Sequence, residues 1–281
     1  MISLLYSGNE KVFKGLLISI VSIAENTAEA LDIHVLTMDL SDIRADFRPI
    51  STSQINYIEN IIKQHNEQSR ITLHDLTERF KQEMNASPNM KSFYTPYAFL
   101  RLFADDAPVP DKVIYLDTDT VARGDIAPLF SWEMNGAEFA GARDYLGKVF
   151  IYPNYINSGV LLLDMAKIRK TCFFKKARHY CATRKSPFPD QDAINHYAEK
   201  KCFLPSRFNE QHSVKKDTVI RHFSKTIALF PFLHTVNAKP WDIDGIHKKH
   251  KTFEFDDVIY RCLAYIEDFK GQAEETKVDT Q

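Results

Sequence analysis

Tyr115-Leu116-Asp117-Thr118-Asp119 places two carboxylates one residue apart at the end of the apolar run Lys112 to Leu116. Side chains at that spacing project the same way from an extended backbone and can meet one hard divalent cation. Oxygen donors favour magnesium or manganese, and such an ion bridges the diphosphate of a nucleotide. An Asp-x-Asp also occurs in ordinary solvated loops after strands, so both readings stand on this motif alone. Four further groups could join it. His222 lies in the strand-like stretch Thr218 to Phe223, either as a ligand or as a satisfied core histidine. Asp190-Gln191-Asp192 follows Pro189 at a helix start, where acidic residues ordinarily stabilise exposed N–H groups. Asn157-Ser158-Gly159 reads as a turn before the apolar Val160 to Leu163, and Lys239-Pro240-Trp241 as a loop.

The elements that must position these groups alternate. Leu4-Leu5-Tyr6 is a buried strand that breaks at Ser7-Gly8-Asn9, and Phe13 to Glu25 carries apolar residues on one helical face. Ile33 to Thr37 is a second strand. Ser53 reads as the N-cap of a helix bearing Ile55, Ile58, Ile61 and Ile62, and Ile71 to His74 as a third strand. Strand–helix alternation predicts an α/β fold whose parallel sheet has helices on both faces. Pro96 to Phe103 reads as a helix, Lys112 to Leu116 as the most strand-like run, and Phe139 to Ala142 and Gly159 to Leu163 as further buried strands. In an open α/β sheet, ligands bind beyond the carboxyl ends of the strands, where Asp117 and Asp119 fall. No linker divides the chain. We read one domain over 1–270 and a polar tail, 271–281, that frays.

Composition narrows the function. With 44% hydrophobic and 26% charged residues, the 281-residue chain is globular rather than disordered. Thirty-six basic and 37 acidic residues leave a net charge of -1, which argues against sequence-blind nucleic-acid binding. Cys172, Cys181, Cys202 and Cys262 form no C-x-x-C pair, as expected of a reduced cytoplasmic protein. Asn9, Glu10 and Lys11 interrupt the N-terminal apolar run too early for a signal peptide, and no stretch approaches the roughly 18 apolar residues of a membrane span. The expectation is a soluble protein, with weak peripheral membrane association left open.

The five groups occur in a telling order: Asp-x-Asp after a buried strand, Asn-Ser-Gly about forty residues later, Asp-Gln-Asp, a strand histidine, then Lys-Pro-Trp. That series resembles glycosyltransferase family 8, the retaining nucleotide-sugar transferases, from about Ser3 to Trp241, most specifically in DKVIYLDTDTVARGDIAPLF. The resemblance implies a GT-A fold, with a nucleotide-binding half over about 1–120 and a donor-sugar and acceptor half over 121–270. It implies a metal-dependent enzyme moving glucose or galactose from a UDP-sugar to a carbohydrate acceptor, a glycan or lipopolysaccharide-type sugar. By the same resemblance Asp117, Asp119 and His222 match the ligands of manganese (or magnesium). Asn157, Asp144, Asp190 and Gln191 match the donor-sugar pocket, and Lys239 the lysine that contacts the diphosphate.

Departures from the family pattern accompany this. The first turn, Ser7-Gly8-Asn9-Glu10, lacks the usual aspartates, and Val12 stands near the position of an aromatic that stacks on uracil; Ser7 and Asn9 remain to bind the nucleotide, Asn9 through a pyrimidine edge. Arg101, matched to the donor-binding arginine, follows Tyr97 only after Ala98-Phe99-Leu100, and Val236 replaces the glycine before Lys239. Two other classes compete: a nucleotidyltransferase, which would show a Gly-rich phosphate loop after its first strand, and a sugar-nucleotide-binding protein without turnover.

Overall fold

The computed structural model describes residues 1–90, 95–228 and 234–278. Its first four sheet strands are β1 (Ile2–Ser7), β2 (Leu31–Thr37), β3 (Arg70–Asp75) and β4 (Lys112–Leu116), all parallel. Strands β1, β2 and β4 are buried on both sides, every residue of β2 being buried, while the edge strand β3 buries only Ile71 fully. Alternate residues serve opposite cores. In β1, Leu4 and Tyr6 face one cluster and Leu5 the other; in β4, Ile114 and Leu116 oppose Val113 and Tyr115.

The first cluster packs under α1 (Phe13–Asn26) and α2 (Thr52–Lys63); the second gathers Phe80 and Met84 of α3 (Thr77–Met84) and the apolar side of a tight 3-10 helix, Pro96–Asp106. The sequence predicted a helix from Pro96 and missed only its tighter winding. The residue that caps α2 is Ser51, not Ser53. Ser51 Oγ accepts from the Gln54 N–H while the Gln54 side chain accepts from the Ser51 N–H, a reciprocal pair that Ser53 is two residues too late to make.

Beyond β4 the sheet changes direction. After β5 (Thr120–Ala122) and α4 (Ala127–Phe130) come β6 (Phe139–Arg143), α5 (Gly147–Phe150) and β7 (Ile156–Asp164). Strand β7 runs antiparallel to both β4 and β6, so the sheet is parallel only in part. Asn157-Ser158-Gly159 lies inside β7 and is not a turn. The chain then forms α6 (Met165–Thr171), α7 (Phe173–Thr183), α8 (Pro189–Tyr197) and β8 (Lys201–Phe203), giving the order β3-β2-β1-β4-β7-β6-β8 among the described residues. Strand β9 (Ile220–His222) stays outside this sheet and pairs antiparallel with β5, Thr120 opposite His222. The short α9 (Ile243–Gly245) precedes α10 (Asp256–Val278), which packs on α1. This last helix continues through 271–278, where the polar composition predicted fraying.

Two glycines allow the close approaches that build the site. A Cβ on Gly15 would lie 2.3 Å from the Thr118 carbonyl, so α1 rests directly on the Asp117–Asp119 turn. One on Gly159 would lie 2.1 Å from the His222 ring, so β7 lies directly against the imidazole.

Candidate functional site

The turn after β4 and the end of β9 bring Asp117, Asp119 and His222 together, with one ligand atom from each mutually within 4.8 Å. His222 Nε2 is 3.1 Å from Asp119 Oδ1 and 3.7 Å from Asp117 Oδ2. Around an octahedral ion such as Mg²⁺, with bonds of about 2.1 Å, adjacent ligand atoms lie about 3 Å apart. The remaining oxygens point elsewhere. Asp117 Oδ1 accepts from Arg101 Nη2 and the Tyr115 hydroxyl, both at 2.8 Å, and Asp119 Oδ2 accepts from Lys239 Nζ at 2.5 Å. Each carboxylate is thus anchored by one oxygen and offers the other, a donor set that fits a divalent cation. Arg101 and Lys239 offset the repulsion between the two carboxylates even with no cation bound. Burial raises the Asp119 carboxyl, but the neighbouring His222 and Lys239 outweigh it and hold the group well below the usual range.

Arg101 is the hub. It is buried, its guanidinium lies 4.5 Å over the Tyr115 ring, and it donates to the Ser158 carbonyl at 2.7 Å as well as to Asp117. Its Nε also lies 3.3 Å from Asp190 Oδ2. Burial opposes its charge, yet Asp117 and then Asp190 keep it firmly protonated. Asp190 is the weaker, longer-range partner, and there burial prevails: its carboxyl is pushed up despite Arg101. The N-cap of α8 is Phe188, with no side-chain cap bond; Asp192 accepts from the Phe188 N–H, Ser186 Oγ and the Tyr155 hydroxyl.

Two cavities meet at this cluster. One, of about 280 Å³, is lined by Asp144, Asn157, Asp190, Gln191 and His222; the other, of about 350 Å³, by Ser7, Asn9, Val12, Phe47, Tyr97 and Trp241. Arg101, Asp117, Asp119 and Lys239 line both. The residues matched by resemblance to sugar thus share the first chamber, and those matched to the nucleotide share the second. In the first, Asp144 Oδ1 accepts from the backbone of Leu146 and Gly147, and Oδ2 from Asn157 Nδ2 (2.8 Å) and Gln191 Nε2 (3.3 Å). Gln191 Oε1 accepts from the Ser158 N–H at 2.9 Å. In the second, Ser7 Oγ is 3.2 Å from the Tyr115 hydroxyl.

Sequence reasoning missed Tyr115, read only as a strand residue; Asn209, which contacts both Asn157 and His222; and Arg44, whose guanidinium lies 3.7 Å over the Phe47 ring at the second chamber. Arg44 and Phe47 carried no local signal. Asn209, a polar residue directly after apolar Phe208, could have been flagged.

This strand order, with the paired aspartates at the carboxyl end of the central β4, is the GT-A architecture. The Glycosyl transferase family 8 model matches residues 3–245, and the chain belongs to that family. It is similar to the lipopolysaccharide 1,2-glucosyltransferase of Escherichia coli K12, 29% identical over 162 residues that cover 51% of this chain and 48% of that protein. It is also similar to the lipopolysaccharide glucosyltransferase WaaO of the same organism, 28% identical over 171 residues, 53% and 49% of the two chains. The chain matches about half the length of these relatives. Its fold is similar to that of the galactosyltransferase LgtC, solved with donor and acceptor sugar analogues, at a TM-score of 0.65 and 18% identity, covering 92% of this chain and 96% of that one. The glycosyltransferase GlyE of Streptococcus pneumoniae TIGR4 aligns at a TM-score of 0.61 and 16% identity, covering 93% and 63%. Among the described residues, no helix is long and apolar enough to cross a membrane.

Proposed function

We propose that the chain is a metal-dependent retaining glycosyltransferase that moves a hexose, glucose or galactose, from a UDP-sugar to a glycan or lipopolysaccharide-type acceptor. The observation that carries this reading is the meeting of two chambers at one carboxylate–imidazole cluster. The names of the two curated relatives, both lipopolysaccharide glucosyltransferases, support the hexose and the acceptor class. Asp117, Asp119 and His222 would hold manganese or magnesium, which as a Lewis acid stabilises charge on a leaving diphosphate. Lys239 exchanges its contact with Asp119 for the diphosphate and adds charge stabilisation there. Ser7 and Asn9 face the nucleoside, and Asp144, Asn157, Asp190 and Gln191 the hexose.

Retention, which membership of the family supports, meets no free carboxylate nucleophile among the described residues of this chamber. Asp144 already accepts four N–H groups, Asp190 is paired with Arg101, and Gln191 is an amide. Such a set supports front-face substitution, in which the acceptor hydroxyl attacks from the side the diphosphate leaves. The four unpaired cysteines support a reducing, cytoplasmic setting.

The test is UDP release from UDP-glucose and UDP-galactose with manganese present. Release supports transfer; tight UDP binding without release under any acceptor would make this a sugar-nucleotide-binding protein; pyrophosphate release would make it a nucleotidyltransferase. Turnover is expected to be higher with manganese than with calcium, because an imidazole ligand favours a transition metal. Equal turnover with calcium would remove His222 from the ligand set.

A further inference from the structure

We propose that Asn209 is a positioning residue that fixes which nitrogen of His222 carries hydrogen, and so keeps Nε2 as the ion-facing donor atom, through a chain of amides that starts at Asp144. The directions of this chain are forced from one end. A carboxylate only accepts, so Asn157 presents its Nδ2 to Asp144 Oδ2 at 2.8 Å. The Gly159 N–H, a donor that cannot be reversed, meets Asn157 Oδ1 at 3.0 Å and gives the same orientation independently. Asn157 Oδ1 therefore faces a second donor, Asn209 Nδ2, at 2.9 Å. That leaves Asn209 Oδ1, an acceptor, 3.2 Å from His222 Nδ1.

The ring must then keep its hydrogen on Nδ1. In the neutral imidazole the lone pair lies on Nε2, the nitrogen that looks toward Asp117 Oδ2 and Asp119 Oδ1. Without Asn209 either nitrogen can hold the hydrogen, and the tautomer with hydrogen on Nε2 cannot ligate. Asn157, Asn209 and His222 are 6%, 1% and 3% exposed, so bulk water does not substitute for the missing acceptor. Asn209 is held in place by backbone rather than by its side chain. Its own N–H bonds to Ser206 O, the Glu210 N–H bonds to Ile220 O, and the His222 N–H bonds to Glu210 O. Truncating the side chain therefore leaves the scaffold standing. The chain also joins the carboxylate of the sugar chamber to the shared cluster.

The inference rests on the ion-binding reading of Asp117, Asp119 and His222, and the experiment separates the two. Nitrogen-15 spectra of the imidazoles in the metal-free protein, assigned through His222→Gln, report the tautomer directly. Manganese affinity is then measured by calorimetry without any sugar nucleotide. The expected wild-type result is hydrogen held on Nδ1 of His222, whether or not Nε2 also carries one toward Asp119 while no ion is bound. Asn209→Ala is expected to give mixed tautomers and a loss of manganese affinity of about 10- to 100-fold, the usual cost of removing such an outer partner. Asn209→Asp keeps an acceptor opposite Nδ1 but sets a carboxylate oxygen against Asn157 Oδ1, so it is expected to keep hydrogen on Nδ1 and to recover only part of the affinity. A wild-type His222 with no hydrogen on Nδ1, or wild-type manganese affinity in a folded Asn209→Ala, would overturn the proposal. The expected tautomers in all three proteins with no manganese bound by any would uphold the placement of the hydrogen and overturn the ion-binding reading.

Discussion

The two chambers share Arg101, Asp117, Asp119 and Lys239, yet their private walls are built on opposite plans. In the sugar chamber Asp144, Asn157 and Gln191 hold one another and the β7 backbone through hydrogen bonds. In the second chamber Val12, Phe47, Tyr97 and Trp241 stand among Ser7, Asn9, Thr95 and Thr118, with exposed Lys11 and Arg44 tied to Asp46 at the rim. Fixed polar groups cost no reorganisation when charge develops, so they suit the transition state; a wall that offers the rings of Phe47, Tyr97 and Trp241 suits ground-state binding of a flat base. Changes in the first chamber should therefore act on kcat, and changes in the second on affinity.

The largest effect belongs to neither private wall. Asp119→Asn should weaken manganese-dependent UDP binding by about 100-fold or more, as loss of a first ligand exceeds loss of an outer partner. Asp117→Asn should behave alike and is the sounder variant than Asp117→Ala, because asparagine keeps an oxygen acceptor for the buried Arg101 and for the Tyr115 hydroxyl, whereas alanine leaves both without one. Binding unaffected in both would separate the chambers from any ion.

Next, Gln191→Ala should lower kcat and kcat/KM together, by about 10- to 100-fold on the scale of one lost transition-state contact, with UDP affinity unchanged. A normal kcat would mean that the sugar wall plays no chemical part. The complementary change, Arg44→Ala, removes a flat cation from the nucleotide rim. It should weaken UDP about threefold, near the value of an exposed stacking contact, and leave kcat alone. A fall in kcat instead would break the division of labour.

The smallest effect is electrostatic. Burial raises the Asp190 carboxyl, so folding favours its protonated form; that contribution is present at low pH and lost as pH rises through the folded value. Asp190→Asn should therefore gain Tm relative to wild type as pH rises from about 4 to 7, since wild type alone must ionise the buried group. A constant difference would show that Arg101 compensates Asp190 fully.

How far the sequence disclosed all this differs along the chain. Strands β1 and β4 were legible because strands buried on both faces read as apolar runs, and Lys112–Leu116 matches β4 residue for residue; the edge strand β3, mostly exposed, was legible from its β-branched Ile71 and Thr72 and its place in the alternation. The direction of β7 was not legible: an apolar run does not record whether its neighbours are parallel or antiparallel. Nor was the pairing of β5 with β9, two three-residue strands about a hundred positions apart, although it alone seats His222 beside Asp119. Residue types and their resemblance to a family pattern singled out Asp117, Asp119, His222, Asn157 and Gln191, which the fold brings to one cluster and its adjoining cavity. Partners such as Arg101 with Asp190, Lys239 with Asp119 and Asn209 with His222 arise from long-range packing, which no local pattern encodes.

The most direct test of the two-chamber account is the affinity of the wild-type protein and of His222→Ala for UDP, each measured by calorimetry with manganese and with a chelator. If the cluster joins the chambers through an ion, manganese should tighten UDP binding at least about tenfold in wild type, a gain of about 1.4 kcal/mol, and His222→Ala should lose most of that gain while binding UDP in chelator as wild type does. Equal UDP affinity with manganese and with chelator in the wild-type protein would contradict it.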